Sequence, residues 1–428
     1  MITLKHRAYY GLLSTTALSG FGDAFGLLAM EWLVYEITGS KLAMGALALS
    51  SGIPELMIRL LGSPLSDRLP RHRLMAGLAA VRLTAILLPW IAGLAGHLQL
   101  WHLFLAAGLS GSCSALFMPT AMALVPEAAG SRKLTRAFAM IDGSRNAAAL
   151  VGPAIAGGVV AGFGSLPALG INAACYLAAI AMLLLLPRST RRNETPSASI
   201  AAYLREITEG FSFYRQVPAM FAVMVMVSIS NMCQGAIWTM MVPFVSEVLQ
   251  LDAAAMGTFT TATALGSLTG LGLISWLGDI KQRRLVMVFS LAAIGCFNAI
   301  LGLTRSYPVA LAALFASGAC GPFFGSLSSS LHGKLVPDRL QGRVNANRFL
   351  IGGALYPVGT FAGSIVAEHY GVQTMFLAAG LLPIFSSCVM LLLPGLRTLN
   401  GELSEIRTPF QPDTPALTAV HSRAPMDV

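Results

Sequence analysis

Apolar residues along this chain come in long blocks, broken by short runs of charged and polar residues. Many blocks reach the roughly 18 to 25 residues that cross the hydrocarbon of a bilayer as a helix. Twelve such helices are predicted, near residues 9–35, 42–61, 74–96, 101–125, 138–161, 167–186, 220–249, 256–277, 285–303, 308–335, 344–367 and 372–393. Most blocks are apolar all round, whereas the core helices of a soluble bundle carry a single apolar stripe. Hydrocarbon is therefore their expected solvent. The first block follows a short basic start (Lys5, Arg7), contains Asp23 and Glu31 and has no small-residue cleavage site, so it reads as a retained helix and not a leader.

The loops between the blocks set an orientation, because basic residues stay on the cytoplasmic side while acidic ones contribute little. With the N-terminus inside, the inside segments hold 22 of the 28 Lys and Arg residues, and only Lys41 and Arg305 fall outside. A multi-pass chain with both termini in the cytoplasm is expected. Composition agrees: of 428 residues 55% are hydrophobic and 11% charged, with a mean hydropathy of +0.70, where a soluble protein is about a quarter charged. The net charge of +9 then reflects topology, and no nucleic-acid partner is expected.

The six cysteines sit inside apolar blocks without a C-x-x-C pair, which argues against a disulfide framework or a zinc site and for packing roles. No metal-ligand cluster and no G-x-x-x-x-G-K-[ST] loop is visible, so neither an enzyme nor ATP hydrolysis is supported and no cofactor is expected. The partners are the lipid bilayer and a small molecule, and the chain is read as a monomer.

The second half repeats the first. Ser63, Leu65, Asp67 and Arg71 recur at an offset of 212 as Ser275, Leu277, Asp279 and Arg283, each set between a second and a third block. Val125-Pro126-Glu127 faces Val336-Pro337-Asp338, and Leu186-Pro187 faces Leu393-Pro394, at offsets between 207 and 212. Such a duplication implies two six-helix halves with a cavity between them near the midplane. The divisions read as 1–187 for the first half, 188–218 for a cytoplasmic linker that turns amphipathic over 201–214, 219–395 for the second half, and 396–428 for a Pro-containing disordered cytoplasmic tail.

Ser63 to Arg73 resembles the loop signature of the major facilitator superfamily, G-x-L-x-D-R-x-G-R-[RK]-x, with Leu65, Asp67, Arg68, Arg71 and a basic-type His72 in place and Ser63 and Pro70 standing for its glycines. Gly152-Pro153 in the fifth block resembles that superfamily's antiporter signature, a helix kink at a close contact. The stretches 32–40, 206–218 and 340–344 are similar to the bacterial enterobactin exporter and macrolide efflux branch. The resemblance implies an all-α integral membrane fold of 12 transmembrane helices in two pseudo-symmetric halves, in a bacterial inner membrane. It also implies a proton gradient as energy source, and a cytoplasmic gate in which Asp67 faces the N-terminus of the eleventh helix. By position, Arg68, Arg71, Asp142, Arg145, Asp279, Arg343 and Arg348 belong to that gate.

An ionisable group in hydrocarbon costs about 2.5 to 3.5 kcal/mol on insertion scales, so each one calls for a reading. Asp23 lies mid-span among Gly20, Gly22 and Gly26, which allow close helix approach or local unwinding around the carboxylate. Desolvation favours the protonated form of a carboxylate, which suits a proton-exchanging site; capping, or pairing with an arginine, is the alternative. Glu31, two turns on, is a second proton site or a charge at the cavity mouth. Glu55 and Arg59 share a helix face and can pair, and Glu55 and Arg82 are expected at similar depth as an ion cluster or as part of proton coupling. Asn231, Gln234 and Trp238 recur at helical spacing and line the cavity or pack helices.

The leading expectation is an exporter of small amphipathic molecules, of antibiotic or siderophore class, driven by proton entry through Asp23. The fourth block lacks the arginine signature of many drug/proton antiporters, which leaves Arg82 or Arg145 to serve. An importer of a small polar nutrient is the alternative, disfavoured because the membrane charge is concentrated in the first half. A non-transporting membrane protein that keeps the fold is another.

Overall fold

The computed structural model describes residues 2–61, 70–129, 134–184, 200–278, 280–337 and 340–401. Thirteen long helices account for nearly all of them, as hydrocarbon requires, since only a helix satisfies its backbone within one segment. They are α1 (Ile2–Thr38), α2 (Lys41–Leu61), α3 (Arg71–Leu94), α4 (Leu100–Ala129), α5 (Leu134–Phe163), α6 (Ser165–Leu184), α7 (Ile200–Gln216), α8 (Pro218–Thr239), α9 (Ala253–Leu277), α10 (Arg283–Leu303), α11 (Tyr307–Leu335), α12 (Gln341–Tyr370) and α13 (Val372–Leu392). Eleven of them are long and apolar enough to cross a membrane. A twelfth, α9, is equally long but rich in Thr and Gly, which lowers its hydropathy.

The repeat is visible in the packing. In the first half α1 packs on α6 and α5, α2 on α4, and α3 on α4 and α6; in the second, α8 packs on α13 and α12, α9 on α11, and α10 on α11 and α13. The halves meet through α5 on α9 and α2 on α12, two pairs that the repeat exchanges. The expected single span 220–249 is broken: after α8 come a short turn, Met241–Pro243, and a π-helical segment, Phe244–Val248. Pro243 has no amide to donate back along the helix, which explains the interruption.

The amphipathic linker forms α7, and its second part docks on the second half, with Phe213 and Tyr214 buried. His332 Nδ1 lies 2.7 Å from the Ser328 carbonyl and so carries the ring proton, leaving Nε2 to accept from the Tyr214 hydroxyl at 3.1 Å. Burial pushes the Tyr214 hydroxyl above its usual range and keeps it a neutral donor.

Loops 38–41, 95–100, 163–165, 304–307 and 371 lie at one end of the bundle, called here the far end; the start of α1 and the end of α13 lie at the other, called here the basic end. Small residues bring the halves together toward the far end. A Cβ at Gly157 of α5 would lie 2.6 Å from the Ala253 carbonyl oxygen, and one at Gly257 of α9 would lie 2.6 Å from Ala154 Cα. On the α2–α12 side a Cβ at Gly45 would overlap Ser364. Because the obstacle at Gly257 is backbone, Gly257→Ala is expected to lower stability by about 1–3 kcal/mol. Gly272→Ala, in the same helix with open space around it, should leave stability unchanged or raise it by about 0.5–1 kcal/mol. Thermal unfolding of the two purified variants checks the contrast.

Candidate functional site

A cavity of about 740 Å³ runs between the halves. At its basic-end mouth stand Arg59, with a side chain 58% exposed, and Phe349, 74% exposed. Toward the far end it stops beneath a set of polar ties between the halves. The Tyr35 hydroxyl and Lys41 Nζ both donate to Glu247 Oε1, the lysine at 2.7 Å. Glu368 of α12 accepts from the backbone amides of Lys41 at 2.8 Å and Leu42 at 3.3 Å, and so caps the N-terminus of α2 from across the interface. The cavity is shut at the far end and opens at the basic end.

A strongly buried charge in its wall is Arg82 of α3, whose side chain is only 4% exposed. Arg82 Nη2 lies 2.8 Å from both carboxylate oxygens of Asp23 and 2.8 Å from Ser114 Oγ. The guanidinium faces the rings of Phe117 at 5.5 Å and Tyr176 at 5.0 Å, and the Tyr176 hydroxyl donates to Asp23 Oδ1. Four helices, α1, α3, α4 and α6, thus converge on one ion pair. α1 stays helical through its glycines, and these serve close approach: a Cβ at Gly26 would overlap the Asn172 amide of α6.

The expected meeting of Glu55 and Arg82 does not occur. Arg82 turns to Asp23 because α3 packs on α4 and α6, whereas α2 packs on α4 and α12 and keeps its Glu55–Arg59 pair at the mouth. Of the two roles open to Gln234, helix packing is the one the structure places it in. Sixty degrees around α8 from Asn231, it accepts from Asn298 Nδ2 of α10 at 2.8 Å, within the second half. Asn231 and Trp238 do line the cavity, as do Glu31 and Pro153, and Asn231 donates to the Gly352 carbonyl at 2.7 Å. Gly152 faces Ala24 of α1, and α5 runs unbroken through Pro153.

Of the gate candidates, Asp67, Arg68 and Asp279 lie outside the described residues. Arg71 donates to the Ala123 carbonyl and Glu127, and Arg145 stands 3.9 Å from Asp142. Arg343 pairs with Glu209 of α7, and Arg348 donates to Ser329 Oγ at 2.8 Å. Each of these partners belongs to the linker or to the same half. Lys41, Glu247 and Glu368, which cross the interface among the described residues, escaped sequence reasoning because they sit at helix ends, where a charge is unremarkable. Tyr176 and Ser114 were missed too, although a hydroxyl in an apolar block next to a lone arginine is a usable signal.

The sequence profile of the transmembrane secretion effector family matches residues 2–428. The chain belongs to this family of major facilitator transporters. Among relatives of this secretion effector chain, the multidrug efflux pump Tap of Mycolicibacterium fortuitum is 22% identical over 91% of this chain and 96% of its own. Macrolide efflux protein A of Streptococcus pyogenes is 20% identical over 92% and 97%. Solved structures with the same fold include the nucleoside transporter NupG, with TM-score 0.73 and 15% identity over 90% of this chain and 99% of that one. A bacterial homologue of the iron transporter ferroportin in an inward-facing state gives 0.69 and 18% over 90% and 98%.

Removing Arg82 alone strands the Asp23 carboxylate. With Asp23 41% exposed to the cavity, Arg82→Met is expected to cost about 1–3 kcal/mol, less than a fully buried pair would. Asp23→Asn with Arg82→Met should recover most of that loss, and a double-mutant cycle on denaturant unfolding reads the difference.

Proposed function

We propose that this transporter exports small amphipathic molecules, of antibiotic or siderophore class, across a bacterial inner membrane by proton antiport and alternating access. The observation that carries the reading is a cavity between two repeated halves, open at one end and centred on an ion pair, Asp23–Arg82, reachable from that opening. Full-length similarity to a multidrug pump and a macrolide efflux protein supports export over nutrient uptake. In this reading both termini and the basic end face the cytoplasm, as the Lys and Arg distribution favours, and the chain works as a monomer.

Protonation of Asp23 weakens its hold on Arg82 and with it the link among α1, α3, α4 and α6. The chain then closes at the basic end, where Asp67 and Asp279, with their basic neighbours, form the gate, and opens at the far end. The second requirement is that the far-end ties let go. In a chain whose six native cysteines are replaced, Thr239→Cys, buried beside the cavity, reports this. Adding Lys41→Met and Glu368→Gln is expected to raise its modification by a membrane-impermeant maleimide applied from outside; an unchanged rate counts against the ties as a gate.

Transport itself is tested in inverted vesicles with an imposed proton gradient, using a dye, a macrolide and a siderophore in parallel. Gradient-driven accumulation by wild type, lost in Asp23→Asn at equal expression, is the expected result. A wild type that moves none of the three, or a fully active Asp23→Asn, overturns the reading.

A further inference from the structure

Five formally charged side chains line the cavity, and four are paired: Asp23 with Arg82 and Glu55 with Arg59. The fifth, Glu31, makes no hydrogen bond or ion pair among the described residues. It lies eight residues beyond Asp23 on α1, about 12 Å further along the helix toward the far end, and therefore at the blind end of the cavity. Every lining residue from the second half is uncharged.

The cavity that Glu31 lines also carries aromatic and sulfur-bearing side chains. The repeat offset of 207 carries Glu31 onto Trp238, and the offset of 212 carries Met44 onto Met256, and all four line the cavity. The blind end is thus bounded on both halves by corresponding positions. Tyr356 of α12 lies within electrostatic reach of Glu31. A cavity end that combines one unpaired carboxylate with indole and phenol rings and flexible thioethers in its lining is a poor site for an anion. It suits a cation with an apolar body, whose charge meets the carboxylate and the ring faces while its bulk replaces water against methionine.

We propose that Glu31 is the counter-ion of a subsite for amphipathic organic cations, such as protonated tertiary amines or quaternary onium ions. The proposal rests on the reading of the cavity as the substrate site, and within the export reading it favours cationic compounds over anionic siderophores. Asp23 is left to the proton, because its charge is already met by Arg82.

The test is equilibrium binding of tetraphenylphosphonium to the full chain in lipid nanodiscs, with binding to empty nanodiscs subtracted. Saturable binding by wild type, weakened on the order of tenfold or more by Glu31→Gln, is expected, with Glu31→Asp retaining most of the affinity. Should Glu31→Gln fail to fold, the wild-type chain still decides the matter. Tetraphenylborate has nearly the same shape and the opposite charge, and it should not displace the bound phosphonium. Equal binding by Glu31→Gln, displacement by tetraphenylborate at equal concentration, or no saturable binding by wild type overturns the proposal. Its fate is separable from that of export. Vesicles that extrude only neutral or anionic compounds would keep export and remove the subsite, while Glu31-dependent binding without movement in vesicles would keep the subsite and remove export.

Discussion

Two helix crossings, α5 on α9 and α2 on α12, decide the shape of everything between the halves. Each is close because glycines stand where side chains would collide with the partner: Gly157 and Gly257 at one crossing, Gly45 at the other. In a bilayer there is little hydrophobic force to press helices together, so backbone proximity and dispersion do the work. These glycines lie toward the far-end portions of their helices, so the same helices diverge toward the basic end, and the cavity is what the divergence leaves.

The first half then faces a separate constraint. A guanidinium placed in an apolar bundle must be met by charge and hydrogen bonds, or its desolvation is not repaid. Arg82 obtains a carboxylate, a hydroxyl and two ring faces from three other helices. Meeting that requirement ties α1, α3, α4 and α6 together at mid-depth. The second half has a neutral counterpart in the chain of amides and hydroxyl Gln234, Asn298 and Ser317, while its Arg283 and Arg284 donate to the Gly401 and Leu391 carbonyls. The charge asymmetry visible along the sequence reappears in the cavity: its charged lining residues come from the first half, and the second presents an uncharged wall.

Much of this was legible beforehand. Block lengths and an offset near 212 are properties of segments, and segments survive folding; the exchange of the α2–α12 and α5–α9 contacts is the same repeat seen in space. What was not legible is lateral. Arg82 was expected beside Glu55 from depth alone, but depth along a helix does not say which neighbour lies beside it. Helices α2 and α3 follow one another in sequence and share α4, yet the second partner is α12 for one and α6 for the other. For Gln234 spacing alone left cavity lining and helix packing open, since 60° of helical rotation separates a cavity wall from a helix interface. The inter-half ties at Lys41, Glu247 and Glu368 left no pattern, because a charged residue at a helix end is the ordinary case.

The strength of those ties bears on how an alternating cycle would work. Glu247 is 41% exposed, so its pair with Lys41 is worth about 0–1 kcal/mol. A carboxylate at a helix N-terminus, as Glu368 is for α2, adds about 0.3–1 kcal/mol. Together they bias the closed far end by about 0.3–2 kcal/mol, a population ratio of about two to thirty. The glycine crossings add dispersion that is regained wherever the helices next pack. In the proposed cycle, then, nothing at the far end amounts to a lock. A bound molecule that contacts both halves, or a proton that releases Arg82 from Asp23, need differ by only a few kcal/mol between the two states to reverse the preference. A weak closure of this kind is what a small gradient-driven device needs, because a strong one would consume the driving force it is meant to transmit.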